Sequence, residues 1–462
     1  MNKTLNMTKG SPLKLLLVFA LPLMLGNVFQ QMYTVVDTAI VGRGVGLTAL
    51  AALGTVDWLN WMFVGIAQGF TQGFSVKIAQ KFGEGDASGV RRYAAHSARL
   101  SIIIALGGVI FAEAALPAFL WLLRVPSELY PMAELYSRII MGGFPAVVFF
   151  NYCSAMLRAV GDSKTPLLAM VAASFTNIVL DLIAVFVLGW GIAGAAAATV
   201  FSQVLAGTVC AVRMTKTKEL RFSRKLMGKD RALSADLMRI GTPMALKNLI
   251  ISVGGIAVTS VVNGFSMSFI AGFTATNKLF GILEIAAISY GYAVTTYIGQ
   301  NFGAGLFERI KRGMRAAVIL SLLTSLVIAL IMFLFGRQIT MLFIAEEDPL
   351  LVAAAGDTAY LYLRVMSVCL PVLYMLHAFM AALQGLGNTV GPMISGIIEF
   401  VLRVVISVVV GFTSFSFGIF LAEVSAWFGA AGYMGIVYYR DMYRLCKKAE
   451  LSANVSQEIK EL

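Results

Sequence analysis

Residues 80–85 read Gln-Lys-Phe-Gly-Glu-Gly, and residues 300–305 read Gln-Asn-Phe-Gly-Ala-Gly. The likeness extends in a rigid register: Arg91, Arg92 and Ser101 return as Lys311, Arg312 and Ser321 at the same shift of 220 residues. A second block follows. Arg158 to Pro166 (RAVGDSKTP) is answered by Gln384 to Pro392 (QGLGNTVGP), so that Pro145, Gly161, Asp162 and Pro166 reappear as Pro371, Gly387, Asn388 and Pro392 at a shift of 226. Two blocks so far apart with almost one shift mean that the whole of each half is a copy of one unit.

Composition says what is duplicated. Hydrophobic residues make up 59% of the 462 and charged residues 13%, about half the charge of an ordinary soluble domain. Apolar stretches of about twenty residues, each long enough to cross about 30 Å of hydrocarbon as a helix, recur along the chain. They predict helices near 14–38, 48–76, 93–118, 132–155, 166–188, 192–213, 237–262, 268–297, 313–335, 357–382, 392–411 and 415–440. The first run, Leu15 to Val36, follows Lys3, Lys9 and Lys14 but has no small-residue cleavage site, and reads as a retained helix. The expected fold is therefore an all-α integral membrane protein with twelve transmembrane helices. Six crossings per repeat give both repeats the same orientation, related by a pseudo-two-fold axis along the membrane normal. The expected organisation is an N-terminal lobe at 1–213, a basic linker at 214–236, a C-terminal lobe at 237–440 and a tail at 441–462.

The formal charge of +12 could suggest nucleic acid, so the placement of the basic residues decides. About 28 of the 36 fall in alternate connections: the N-terminus, Lys77 to Arg99, Arg158 and Lys164, Arg213 to Arg239, Arg309 to Arg315, and the tail from Arg440. The opposite connections, Gly189 to Gly191, Asn263 to Ser266 and Phe412 to Phe415, carry no charge, and Glu346, Glu347 and Asp348 are acidic. This is the positive-inside pattern, which puts both termini in the cytoplasm of a multi-pass protein of the cell's inner (cytoplasmic) membrane. The expected partner is the lipid bilayer, with no nucleic acid; the linker's basic face meets anionic headgroups.

Ionisable residues inside spans are costly and mark pathways. In the first half these are Asp37 in the first helix, Asp57 in the second and Asp181 in the fifth. Asn177 and Asp181 are spaced i, i+4 on one helix face, where an amide and a carboxylate can together hold a proton or a dehydrated cation, and Thr199 of the sixth helix can add an oxygen. Low dielectric disfavours a charged carboxylate and a second carboxylate nearby disfavours it further, as a proton carrier requires. The plainer alternatives are an interfacial Asp37 near Arg43, an Asp57 at a helix end, and an Asn177 and Asp181 that merely bond to one another. In the second half, Glu399 and Arg403 at i, i+4 read as a pair that neutralises itself, while Glu284, with Lys278 and Lys247 the nearest cations in sequence, is a candidate for a substrate cavity. Pro22, Pro145, Pro243 and Pro371 interrupt apolar segments, and Pro22, about four turns from Asp37, is the candidate bend. Cys153, Cys210, Cys369 and Cys446 have no metal-ligand spacing, and with only His96 and His377 neither a metal centre nor a cofactor is expected. No paired catalytic carboxylates or His and Cys cluster points to an enzyme.

Pro22, Asn27, Gln30 and Gln31, the run Asp37-Thr38-Ala39-Ile40-Val41-Gly42-Arg43, and the two repeated blocks resemble the multidrug and toxic compound extrusion (MATE) family over essentially the whole chain. The resemblance implies a V-shaped, monomeric transporter of two six-helix lobes that exports small amphiphilic organic cations by antiport against protons or sodium ions. It implies a cation site at Asp37, Asn177 and Asp181, with Thr199 in place of a sixth-helix threonine; any bound metal would be sodium there. It leaves Gln31, Asp57, Glu284, Glu399 and Arg403 as substrate or gating candidates. Family members with a second-lobe sodium site carry acids in the seventh and tenth helices, where this chain has Lys247, Arg364 and His377; that departure points to the DinF-like bacterial type with coupling in the first lobe. The rival within the same superfamily is a flippase for a lipid-linked oligosaccharide.

Overall fold

A computed structural model describes residues 4–222, 224–341, 349–413 and 416–461. Among the described residues there is no strand, and fourteen α-helices follow in order: α1 Pro12–Gly44, α2 Leu47–Glu84, α3 Ala87–Leu122, α4 Tyr130–Gly142, α5 Phe144–Ala159, α6 Lys164–Leu182, α7 Gly191–Lys216, α8 Arg231–Val262, α9 Met267–Leu283, α10 Ile285–Gly303, α11 Phe307–Met341, α12 Pro349–Gly385, α13 Val390–Thr413 and α14 Gly418–Glu461. Helix is the form that lipid imposes, because each backbone N–H and C=O must be satisfied within its own segment. Among the described residues eleven segments are long and apolar enough to span, with α9 and α10 forming one, and α4 and α5, bent by 42°, make a twelfth if counted together. That bend falls at Gly143, just before Pro145 in the first turn of α5, where the missing N–H costs nothing. Pro22, Pro243 and Pro371 each lie inside a helix that continues through it, as does Pro117 in α3.

Many helices run far past the apolar windows that signalled them. The 38 residues of α2 span about 57 Å at 1.5 Å per residue, nearly twice the hydrocarbon thickness, and α14 takes in the stretch expected as a tail. Their outward faces keep large apolar side chains open, among them Ile110, Val187 and Ile436, each more than 70% exposed. Faces of this kind are compatible with lipid and not with water. Glu346, Glu347 and Asp348 lie outside the described residues, as do Lys3 and the end of the Phe412 to Phe415 connection.

The repeat is visible in backbone geometry. Gly161 and Gly387 have φ of 89° and 87°, and Gly85 and Gly305 have 78° and 70°, left-handed conformations that favour glycine. The residue after Gly161 or Gly387 caps the next helix: Asp162 Oδ1 accepts from the Thr165 N–H at 3.0 Å, and Asn388 Oδ1 from the Gly391 N–H at 3.0 Å. Each turn is also tied to the last helix of its own repeat, Asp162 to Arg213 at 3.0 Å and Asn388 to Asp441 at 2.6 Å.

Contacts divide the chain into two compact units, Met1–Asn6 with Leu17–Ile256, and Met7–Leu16 with Ala257–Leu462. In the first, α8 joins α2, where Asn248 Nδ2 donates to the Gly65 carbonyl at 2.7 Å. The linker is held there as well: Arg99 donates to the Gly228 carbonyl at 2.9 Å, Arg92 pairs with Asp230 at 3.2 Å and Lys77 with Asp236 at 3.0 Å. Asp230 accepts from the Leu233 and Ala232 N–H groups at the start of α8, and these bonds hold its carboxyl below the usual carboxylate range. In the second unit, buried Met7 donates its N–H to Gln300 at 2.9 Å while its carbonyl accepts from Asn301 and Arg309, both at 3.1 Å.

Candidate functional site

The site lies in the first unit, where α1, α6 and α7 meet. Close approach of α1 to α6 follows from small residues along α1. Gly26 faces Leu167 at 3.6 Å from where a Cβ would stand, and at Gly44 a Cβ would come within 2.4 Å of Val185, too close for any other residue. Between these contacts Ser174 donates to the Phe29 carbonyl at 3.5 Å and the Phe29 and Phe175 rings lie 6.3 Å apart. The helix bearing Asp181 changes pitch two residues later. Ile183–Val187 is a π-turn, closed by the Leu188 N–H on the Ile183 carbonyl at 2.9 Å. Such wide turns inside helices are frequent at functional sites.

Asp37 and Asp181 stand side by side, close enough for one proton to join their carboxylates. Both are buried, and among the described residues neither joins an ion pair. Asp37 Oδ1, both oxygens of Asp181 and both side-chain polar atoms of Asn177 lack a hydrogen-bond partner. The alternative in which Asn177 and Asp181 only satisfy one another therefore does not hold. Leaving so many buried polar atoms unsatisfied is expensive, and the carboxylate and amide oxygens call for a proton, an ion or a water.

A cavity of about 10 Å³ opens beside them, lined by Tyr33, Asn177, Thr199, Ser202 and Gln203 with Met170 and Ala173. That is about the space one water molecule's centre needs, so it admits a water or a bare monovalent cation and no organic molecule. Tyr33 lies one turn before Asp37 on α1, and Ser202 and Gln203 lie one turn beyond Thr199 on α7; the sequence reading missed all three. Their i, i+3 and i, i+4 spacing from residues already singled out was the available signal. Tyr136 of α4 comes within electrostatic reach of Asp37, Asp57 and Asp181.

The four cation-site residues taken from the sequence are thus brought together. The other candidates are not part of this group. Gln31 is half-buried and about 120° around α1 from Asp37, while the Asp57 side chain is exposed. In the second unit Glu284 sits at the break between α9 and α10 and pairs with His377 at 3.2 Å, a partner not foreseen. The Glu399 and Arg403 pair needs correction. Arg403 gives its fork to Glu423 of α14 at 3.0 and 2.8 Å, and Glu399 is left at 3.4 Å, so the two do not form a self-contained neutral pair. A sequence reading restricted to one helix could not see the competitor.

With this geometry in view, comparison with known proteins identifies the family. The MatE family model matches residues 22–183 and again 243–409, once in each repeat. The chain belongs to the MatE family. Among relatives of this MatE protein, the probable multidrug resistance protein YpnP of Bacillus subtilis (strain 168) is 31% identical over 75% of this chain and 78% of its own length. The probable multidrug resistance protein YoeA of the same organism is 28% identical over 75% and 76%. A crystal structure of a MATE protein in complex with MaL6 superposes with a TM-score of 0.89 at 25% identity, covering 97% of this chain and all of the other. The MatE chain is thus a multi-pass transporter of the integral membrane class, and the flippase alternative is not favoured by these relatives.

Proposed function

We propose that this protein is a secondary active multidrug efflux transporter that exports amphiphilic organic cations in exchange for protons or sodium ions, with coupling at Asp37, Asn177, Asp181 and Thr199. The observation that carries the reading is the pair of neighbouring, buried carboxylates without a cation, beside a cavity of one-water size. Two like charges in low dielectric favour uptake of a small cation. A proton can bridge Asp37 and Asp181; a sodium ion can take oxygens from both, from Asn177 Oδ1 and from the Thr199 hydroxyl. Loading removes the repulsion between α1 and α6, so α1 settles against the π-turn and the wall of the first unit changes shape. Pro22, inside the same helix, leaves one helical hydrogen bond unmade where such a change is least costly. In this scheme the chain works as a monomer in the cytoplasmic membrane, with both termini in the cytoplasm as its basic connections require, and it performs no covalent chemistry.

Reconstituted vesicles loaded with ethidium test the reading. Imposing a proton gradient and then, separately, a sodium gradient is expected to drive dye movement with one of the two ions. Movement indifferent to both gradients overturns the antiport reading.

A further inference from the structure

At the start of α11 and the end of α14 the second unit gathers cations without matching acids. Arg312 and Arg315 come from α11, Arg444 and Lys447 from α14, and Lys9 from the segment before α1; all are exposed, and among the described residues none of them enters an ion pair. The three pieces of chain meet at one place. Arg309 donates to the Gly10 carbonyl at 3.1 Å, next to Lys9, and Lys311 lies within reach of Cys446 on α14. The acids of the patch are fewer: Glu308 is engaged by Lys311 at 2.7 Å, Asp441 by Arg440 at 3.1 Å and by Asn388 at 2.6 Å, and Glu450 follows one turn beyond Lys447. The first repeat treats the matching position differently. At the shift of 220 residues Arg92 stands where Arg312 does, and Arg92 pairs with Asp230 of the linker at 3.2 Å, while Arg99 of the same helix donates to the Gly228 carbonyl at 2.9 Å. There the chain supplies its own anion; Arg312 has no such carboxylate among the described residues.

Depth in the membrane limits where the missing anion can come from. At 1.5 Å per residue Arg315 lies about 39 Å along α11 from Met341, and Arg444 about 39 Å along α14 from Gly418, so roughly 30 Å of hydrocarbon ends before either is reached. Just short of Arg444, Ile436, Tyr439 and Tyr443 follow at i, i+3 and i+7 on one face of α14 and are 71%, 65% and 69% exposed. Tyrosines gather in this way at the boundary between membrane and water. A guanidinium beyond such a band stands at the level of the headgroups, and its planar fork matches the oxygens of a phosphate two at a time.

We propose that this patch is a binding site for one anionic phospholipid, its phosphate held by Arg312, Arg315, Arg444 and Lys447 and its acyl chains lying along the Ile436, Tyr439 and Tyr443 face of α14. The lipid phosphate does for the second repeat what Asp230 does for the first. A phospholipid of no net charge carries the same phosphate beside its own ammonium group and gains less from the patch. This inference does not rest on the coupling role given to Asp37 and Asp181.

Native mass spectrometry of the full-length protein in detergent, titrated with phosphatidylglycerol and separately with phosphatidylcholine, tests it. One phosphatidylglycerol is expected to be retained in preference to phosphatidylcholine. Arg444→Gln/Lys447→Gln should weaken that binding about thirtyfold, since each Lys or Arg near a headgroup contributes about fivefold, and Arg312→Gln/Arg315→Gln should weaken it by a similar factor. Lys225→Gln/Lys229→Gln, which takes the same charge from the linker, should change it little, and inorganic phosphate at matched ionic strength should not displace the lipid. Equal affinity for the two lipids, full binding in both patch variants, or an equal loss in the linker variant overturns the proposal. So does displacement by inorganic phosphate, which would make the patch a site for the free anion.

Discussion

The two repeats hold their buried polar groups on the same helix and in opposite ways. At the shift that brings Pro166 onto Pro392, Arg403 stands where Asn177 does, Ser407 where Asp181 does, and Glu399 where Ala173 does. The first unit leaves carboxylates without a cation, next to a cavity of one-water size. The second places a permanent cation at the matching position and fastens it with a bidentate bridge to α14. A duplicated scaffold therefore keeps its turns and caps while the second copy sets an arginine among its buried carboxylates and the first leaves its own without a cation.

Substitutions that remove one charge from each site should part company. Arg403→Leu removes the bidentate partner of Glu423, and loss of one partner of a buried bridge costs about 3–5 kcal/mol; thermal unfolding in detergent should register it, and an unchanged midpoint would erase the contrast between the units. Asp181→Asn should leave folding intact or firmer, since it removes an uncompensated charge. It should instead abolish gradient-driven efflux, forfeiting the roughly 2.3 kcal/mol that one charge gains across 100 mV. Vesicle assays that find full dye accumulation in this variant would move coupling out of the first unit. The smallest effect is expected at the turns. Asp162→Asn gives the first turn the residue that the second has at Asn388; it keeps the helix cap but weakens the contact to Arg213, a loss of about 1–2 kcal/mol for a charge-assisted bond. Chemical denaturation that detects no difference would mean the Arg213 contact adds nothing to the cap.

Much of the fold was legible because lipid makes a simple demand of the chain. Each span needs a run of apolar residues and internal backbone bonding, so all twelve predicted helices correspond to helical segments. The windows underestimated helix length because they register hydrocarbon contact and not helix propensity, and α2 and α14 continue well past it. Pro145 stands just after a break between two helices, whereas Pro22, Pro243 and Pro371 lie within single helices. The difference is position: Pro145 follows Gly143 at a helix start, whereas the others lie in helix interiors.

By itself, the sequence determined the membrane class, the duplication and the residue types that lipid would tolerate only with a purpose, since composition and period are properties of one strand of chain. The tertiary structure decided the partners. That Asp37 meets Asp181 depends on Gly44 letting α1 close on the π-turn after Asp181, and that Arg403 prefers Glu423 to Glu399 depends on α14 lying alongside α13. Charge interactions act through distance in space and low dielectric, and neither can be read from separation along the chain.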